Sequence, residues 1–234
     1  MDRTKELLVR LEYWRNFPGY QLERHIDILF SFHLRDIIKH KYGIDSSDYV
    51  IPEFPINQNL TTKKRKGEYS DNIDFVVSSK DLKTVFFVEL KTDMKSIRQD
   101  QNDLMKICDG MPFADVLKGL VDIAKVTKEY SKYATLIYYL NYIGYIEAPK
   151  KLWTLNYGST PYGYKRAISE IIVNEEIDAK VKSVFIQPQK TQDKDNIIDF
   201  SSISTLIKPK DPLFADLLSK CVNSPGFVEF TEGI

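Results

Sequence analysis

The sequence predicts an α/β fold, a mixed central β-sheet flanked by helices, in the order helix, strand, strand, strand, helix, strand. Three observations lead there. Leu22, Ile26, Leu29, Phe30, His33, Ile37 and Ile38 recur at helical spacing over 20–40. Two runs rich in β-branched and aromatic residues, 72–79 and 84–92, follow it and are joined by the short segment Ser79-Lys80-Asp81-Leu82-Lys83. Helical patterns then resume, and a further apolar run, 133–140, reads as the next strand.

Taken in order, a first helix is expected over 4–14, broken by Asn16-Phe17-Pro18-Gly19. The long helix over 20–40 stops at Gly43. A first strand spans 49–54, and its Pro52 argues for an edge or a strand end, because proline donates no ladder hydrogen bond. Helices are expected over 96–108 and 113–130, then the strand over 133–140. Beyond it, 164–173 reads as helix, 181–187 as strand and 212–222 as helix.

Composition sets the bounds. The 234 residues suffice for one sizeable α/β domain, with 43% hydrophobic and 28% charged residues. Lys plus Arg (33) equals Asp plus Glu (33), so any nucleic-acid partner would have to meet a local basic surface. Cys108 and Cys221 make no disulfide framework and are expected to be reduced and buried; with three histidines they offer no structural zinc spacing. The charged N-terminus lacks a signal-peptide apolar core, and the longest apolar stretch, 134–146, is too short to span a bilayer, so a cytoplasmic protein without a membrane partner is expected.

The chemistry concentrates on the hairpin. If its turn centres between Asp81 and Leu82, opposed residues have numbers summing to 163: Ser78 faces Val85, Val76 faces Phe87, and Asp74 faces Glu89. Opposed side chains share a face at about 5 Å between Cβ atoms, and Lys91, two residues past Glu89, shares it too. Ile73, Phe75 and Val77 point the other way, with Phe86, Val88 and Leu90. Two carboxylates this close repel unless one is protonated or a cation lies between them. A hard divalent cation, Mg²⁺ or Mn²⁺, suits such oxygen ligands and makes a bound water more acidic. Lys91 is placed to hold that water or to neutralise charge growing on phosphorus.

Asn72-Ile73-Asp74-Phe75, followed after fourteen residues from Asp74 by Glu89-Leu90-Lys91, resembles the PD-(D/E)xK nuclease superfamily. Ile73 stands where the motif's name has proline. The resemblance implies a restriction-endonuclease-like core over about 20–140, with a C-terminal elaboration over about 147–234 in the same single domain, 1–234. It also implies a metal-dependent nuclease, a hydrolase of phosphodiester bonds, with Asp74 and Glu89 as metal-binding acids and Lys91 as the lysine. Many members add an acid from the first core helix: Glu23 matches that place as catalytic and metal ligand, with Glu53 as the alternative third acid. Some subgroups place a functional glutamine after the lysine, for which Gln101 is the candidate.

Lys63, Lys64, Arg65 and Lys66 form a basic run before the hairpin, read equally as a phosphate contact or as a solvated loop. His25 lies close to Glu23, where some viral relatives supply a metal-site histidine; a structural role is the preferred reading. Tyr138, Tyr139, Tyr142, Tyr145, Trp153, Tyr157, Tyr162 and Tyr164 are read as base-stacking residues or as core and interface. No Gly-rich phosphate loop, nucleophile elbow or metalloprotease helix motif is found. The expected partner is nucleic acid, DNA ahead of RNA, and a homodimer is a prior carried by the resemblance. A ribonuclease of the same fold and a catalytically silent binding module are the competing readings.

Overall fold

The computed structural model describes residues 3–60, 70–154, 161–191 and 195–223. In chain order the elements are α1 (Arg3–Trp14), α2 (Glu23–Tyr42), β1 (Ser46–Asn57), β2 (Ser70–Ser79), β3 (Thr84–Leu90), α3 (Gln99–Cys108), α4 (Phe113–Val126), α5 (Tyr130–Ile143), β4 (Ile146–Glu147), α6 (Lys151–Thr154), α7 (Pro161–Ser169), β5 (Ile172–Val173), β6 (Lys180–Gln187), β7 (Ile197–Asp199), α8 (Phe200–Ile207) and α9 (Pro212–Lys220).

The main sheet runs β1-β2-β3-β6-β7. Its first three strands are an antiparallel meander; β6 and β7 join parallel to β3, so the sheet is mixed. A parallel neighbour requires a long crossover, and here it contains α3, α4, α5, α6, α7 and the small β4–β5 pair. Apolar residues cover both sheet faces. Val76, Val85 and Phe87 pack with Leu104 and Met105 of α3, Val116 and Leu120 of α4 and Ile137 of α5. Phe75, Val77, Phe86 and Val88 pack with Ile26, Phe30 and Leu34 of α2, Phe200 of α8 and Phe214 of α9. No helix among the described residues is long and apolar enough to cross a membrane.

The long helix closes as its sequence suggests: Gly43 adopts φ 69°, and its N–H donates to the Lys39 carbonyl at 2.9 Å. Pro52 sits on β1, an edge strand of the sheet. The hairpin register is the expected one for Ser78 opposite Val85 and Val76 opposite Phe87, but the ladder ends at Phe75 opposite Val88 and the expected Asp74–Glu89 rung is not formed. Its turn is held by Asp81, whose Oδ1 accepts from Ser79 Oγ at 2.6 Å and from the Lys83 N–H at 3.1 Å, while Leu82 takes φ 59°.

Two expectations are corrected. Residues 133–140 are not a strand but the middle of α5. Ala134, Ile137 and Leu140 are buried at helical spacing, while Tyr138, Tyr139 and Tyr142 on the other side are exposed. The next sheet strand is β6, so the core expected over about 20–140 takes strands from the segment assigned to the elaboration. Ile73 also packs on the opposite face from the one expected, with Val76 and Phe87 rather than with Phe75 and Val77. The cause lies on β1. Glu53 has φ 50°, outside extended geometry, and the β1–β2 ladder skips the Glu53–Asp74 rung while keeping its register on both sides. Ile51, Phe54 and Ile56 consequently share one face despite their odd spacing.

Candidate active site

That break in the pleat falls at Asp74. The β2–β3 pairing ends at Phe75 opposite Val88, and the Asp74 carboxylate turns to its neighbour: Oδ2 accepts from the Leu90 N–H at 2.7 Å. Past the end of β3 the Lys91 N–H still donates to Ile186 of β6 at 2.8 Å, which fixes where the lysine leaves the sheet. Glu89 stands opposite Phe185 in the same parallel ladder. Glu89 and Lys91 are thus anchored by the interior of the sheet and are only 2% and 5% exposed.

The Lys91 ammonium lies 2.8 Å from Glu89 Oε1 and 3.4 Å from Glu23 Oε1, and it donates to the Leu90 carbonyl at 3.0 Å. Glu23 is the first residue of α2, where a carboxylate is favoured by the helix dipole. The chain therefore brings together four of the expected residues, Asp74, Glu89, Lys91 and Glu23, from β2, β3, the strand's exit and α2. Glu23 meets the lysine rather than completing a carboxylate cage; among the described residues no three His, Cys, Asp or Glu side chains are gathered as a metal cage.

Electrostatics sharpen the picture. Burial, reinforced by the Glu89 charge, pushes the Asp74 carboxyl up to about 7, against the opposing pull of Lys91 and the Leu90 N–H. Burial also raises Glu89, although Lys91 counters it. For Lys91 burial acts downward, but the charges of Glu89, Glu23 and Asp74 together outweigh it, and its pKa is raised. Glu89 Oε1 is buried, and the Lys91 ammonium at 2.8 Å is its charged neighbour.

These features bear on a metal. Mg²⁺ and Mn²⁺ use few protein carboxylates and complete their shells with water and substrate oxygens. Two buried carboxylates disfavoured in their charged form fit such an ion.

Beside Lys91 opens a cleft of about 670 Å³, lined by the α1–α2 turn, the start of α2 and the connection from Lys91 to α3. Gln101 is on its wall and accepts weakly from Arg98 Nε, at 3.4 Å. Arg98, which sequence reasoning missed, lines the cleft and draws the Glu89 carboxyl downward. No spacing rule marks a lone arginine in a polar helix start; only the fold relates it to Glu89. Glu53 is on β1 and accepts from Asn72 Nδ2 at 3.2 Å, apart from the group around Lys91. His25 stacks on Tyr20 with ring centroids 4.9 Å apart. Tyr145 and Tyr164 belong to the core, whereas Tyr138 packs edge-on against Trp153. Lys63, Lys64, Arg65, Lys66 and Tyr157 lie outside the described residues.

No family model matches this chain, and neither a curated protein nor a solved structure matches it.

Proposed function

We propose that the chain is a divalent-metal-dependent phosphodiesterase with a restriction-endonuclease-like core of the PD-(D/E)xK type, acting on nucleic acid, DNA ahead of RNA. One observation carries this reading: Glu89 and Glu23 flank the buried ammonium of Lys91 at the end of two adjacent central strands, with the Asp74 carboxylate held at Leu90 next to it. Asp74 and Glu89 would hold Mg²⁺ or Mn²⁺, which supplies an acidified water and a charge against phosphate oxygens. Glu89 orients Lys91, and Glu23 steadies the ammonium from the helix side. Lys91 supplies a permanent positive charge and hydrogen-bond donors to the reacting phosphate or to the attacking water. The Leu90 N–H holds one Asp74 oxygen and leaves the other free to ligate. Phe185 of β6 stands opposite Glu89 in the ladder, and the Glu89 side chain is buried there.

A silent binding module is the second reading, favoured by the 2.8 Å ion pair that already occupies Glu89. The two separate in a cleavage panel of plasmid, linear, branched and single-stranded DNA and of RNA, run with Mg²⁺, Mn²⁺ and a chelator. Cleavage that requires the metal is expected. Intact substrates in every lane would remove the phosphodiesterase reading.

A further inference from the structure

We infer that the cleft beside Lys91 receives an unpaired nucleic-acid strand, with the Phe17 ring stacking on a base and Arg24 and Arg98 holding the flanking phosphates. This rests on the phosphodiesterase reading and adds a substrate class to it.

The reactive groups set the first constraint. Lys91 is only 5% exposed and, with Glu23, lines the cleft, so a phosphodiester that meets the ammonium approaches it through the cleft. An unpaired strand can turn its backbone into a recess freely, whereas a duplex, stiff over about 50 nm, has to be bent towards it at a cost in elastic energy. A cleft of about 670 Å³ is instead of the size that encloses a small ligand, roughly 300–1,000 Å³.

The lining supplies the second constraint. Phe17 stands on the cleft wall with 47% of its surface exposed, an apolar ring offered to solvent at the mouth of a polar site. The Arg24 guanidinium has no hydrogen-bond or ion-pair partner among the described residues. Arg98 approaches Asp100 at 3.5 Å and Gln101 at 3.4 Å through Nε alone, leaving its terminal nitrogens available. Of the acids of the cleft, Glu23 faces Lys91, and Asp93 caps the short turn after β3 by accepting from the Lys95 N–H at 2.9 Å. Arg15 is excluded from phosphate binding because its guanidinium donates to the Lys220 and Asn223 carbonyls. An exposed aromatic ring in one cleft with Arg24, unpaired among the described residues, and the loosely paired Arg98 is a combination suited to single strands, through stacking that tolerates any base and through charge that follows the backbone.

The test is fluorescence anisotropy with labelled single-stranded DNA, single-stranded RNA and blunt duplex DNA of one sequence, in chelator so that nothing is cut. A single strand should bind about tenfold or more tighter than the duplex, and the better of the two single-stranded probes identifies the sugar. Phe17→Ala should weaken single-strand binding about tenfold. Arg98→Gln should lower affinity and reduce the salt slope by about one. Both side chains are exposed, so unchanged thermal melts will show that the variants fold. Duplex bound as tightly as single strand, or no effect of Phe17→Ala, overturns the inference. A parallel assay with Mg²⁺ separates the two levels: metal-dependent cutting of duplex alone sinks the inference and leaves the phosphodiesterase reading, whereas neither binding nor cutting of any probe sinks both.

Discussion

Lys91 and Glu89 depend on each other. Both are buried, and an ionised group in the interior is tolerated only beside its opposite. Replacing Lys91 by methionine leaves a buried carboxylate without its cation, and we expect a loss of about 3–5 kcal/mol in chemical denaturation. Adding Glu89→Gln should recover most of that loss; a double variant no more stable than Lys91→Met would place the energetics elsewhere. Asp74 behaves differently, because its carboxyl is raised in the folded chain to about 7 from an unfolded value near 4. Between those values the folded protein holds a proton that the unfolded chain has released, so stability falls as pH rises from about 4 to about 7 and is flat above. Asp74→Asn removes this dependence while keeping an acceptor for the Leu90 N–H. The variant should melt higher than wild type at about pH 8 without metal, and the difference should shrink towards about pH 5. A divalent cation should raise the melting temperature of wild type and not that of the variant. That Asp74, Glu89 and Lys91 lie near one another was legible from turn length and strand period, although the pleat breaks at Asp74 and its carboxylate is held at Leu90 rather than in a rung opposite Glu89. Arg98 was not, because its relation to Glu89 crosses a loop whose path no local pattern records.

At the level of elements, local signals worked where the chain obeys local rules. The stripe on α2 and its stop at Gly43 are one instance. Gly43→Ala forces a side chain into φ 69° and should cost about 1 kcal/mol, read as a lower melting temperature; an unchanged melt would mean the cap is not held in solution. The hairpin is another instance, its register set by a turn built on Asp81. Two elements misled. The aromatic and β-branched run in α5 has strand composition, yet its burial repeats every three residues, and period decides over composition. The reversal at Glu53 breaks strict alternation, and a glutamate at positive φ carries no sequence mark. Its effect is local and useful: it frees Asp74 from the pleat at the point where the carboxylate meets Leu90.

Across the whole molecule, the strand that completes the site's support comes from far along the chain. β6 begins at Lys180 and holds Leu90, Glu89 and, through Ile186, the Lys91 backbone. Such a parallel partner is fixed by tertiary packing, so the sequence reading took the nearest strand-like run in its place. The helices on the two faces seal the sheet, and α2 brings Glu23 to the lysine from one of them. The central claim is that this convergence performs phosphodiester hydrolysis through Lys91. The most direct test runs wild type and Lys91→Ala side by side on the best substrate, with Mg²⁺, with Mn²⁺ and with a chelator. Wild type should cut only with metal, and Lys91→Ala should be slower by about a hundredfold or more while still binding the nucleic acid. Undiminished cleavage by Lys91→Ala would contradict the assignment of the site.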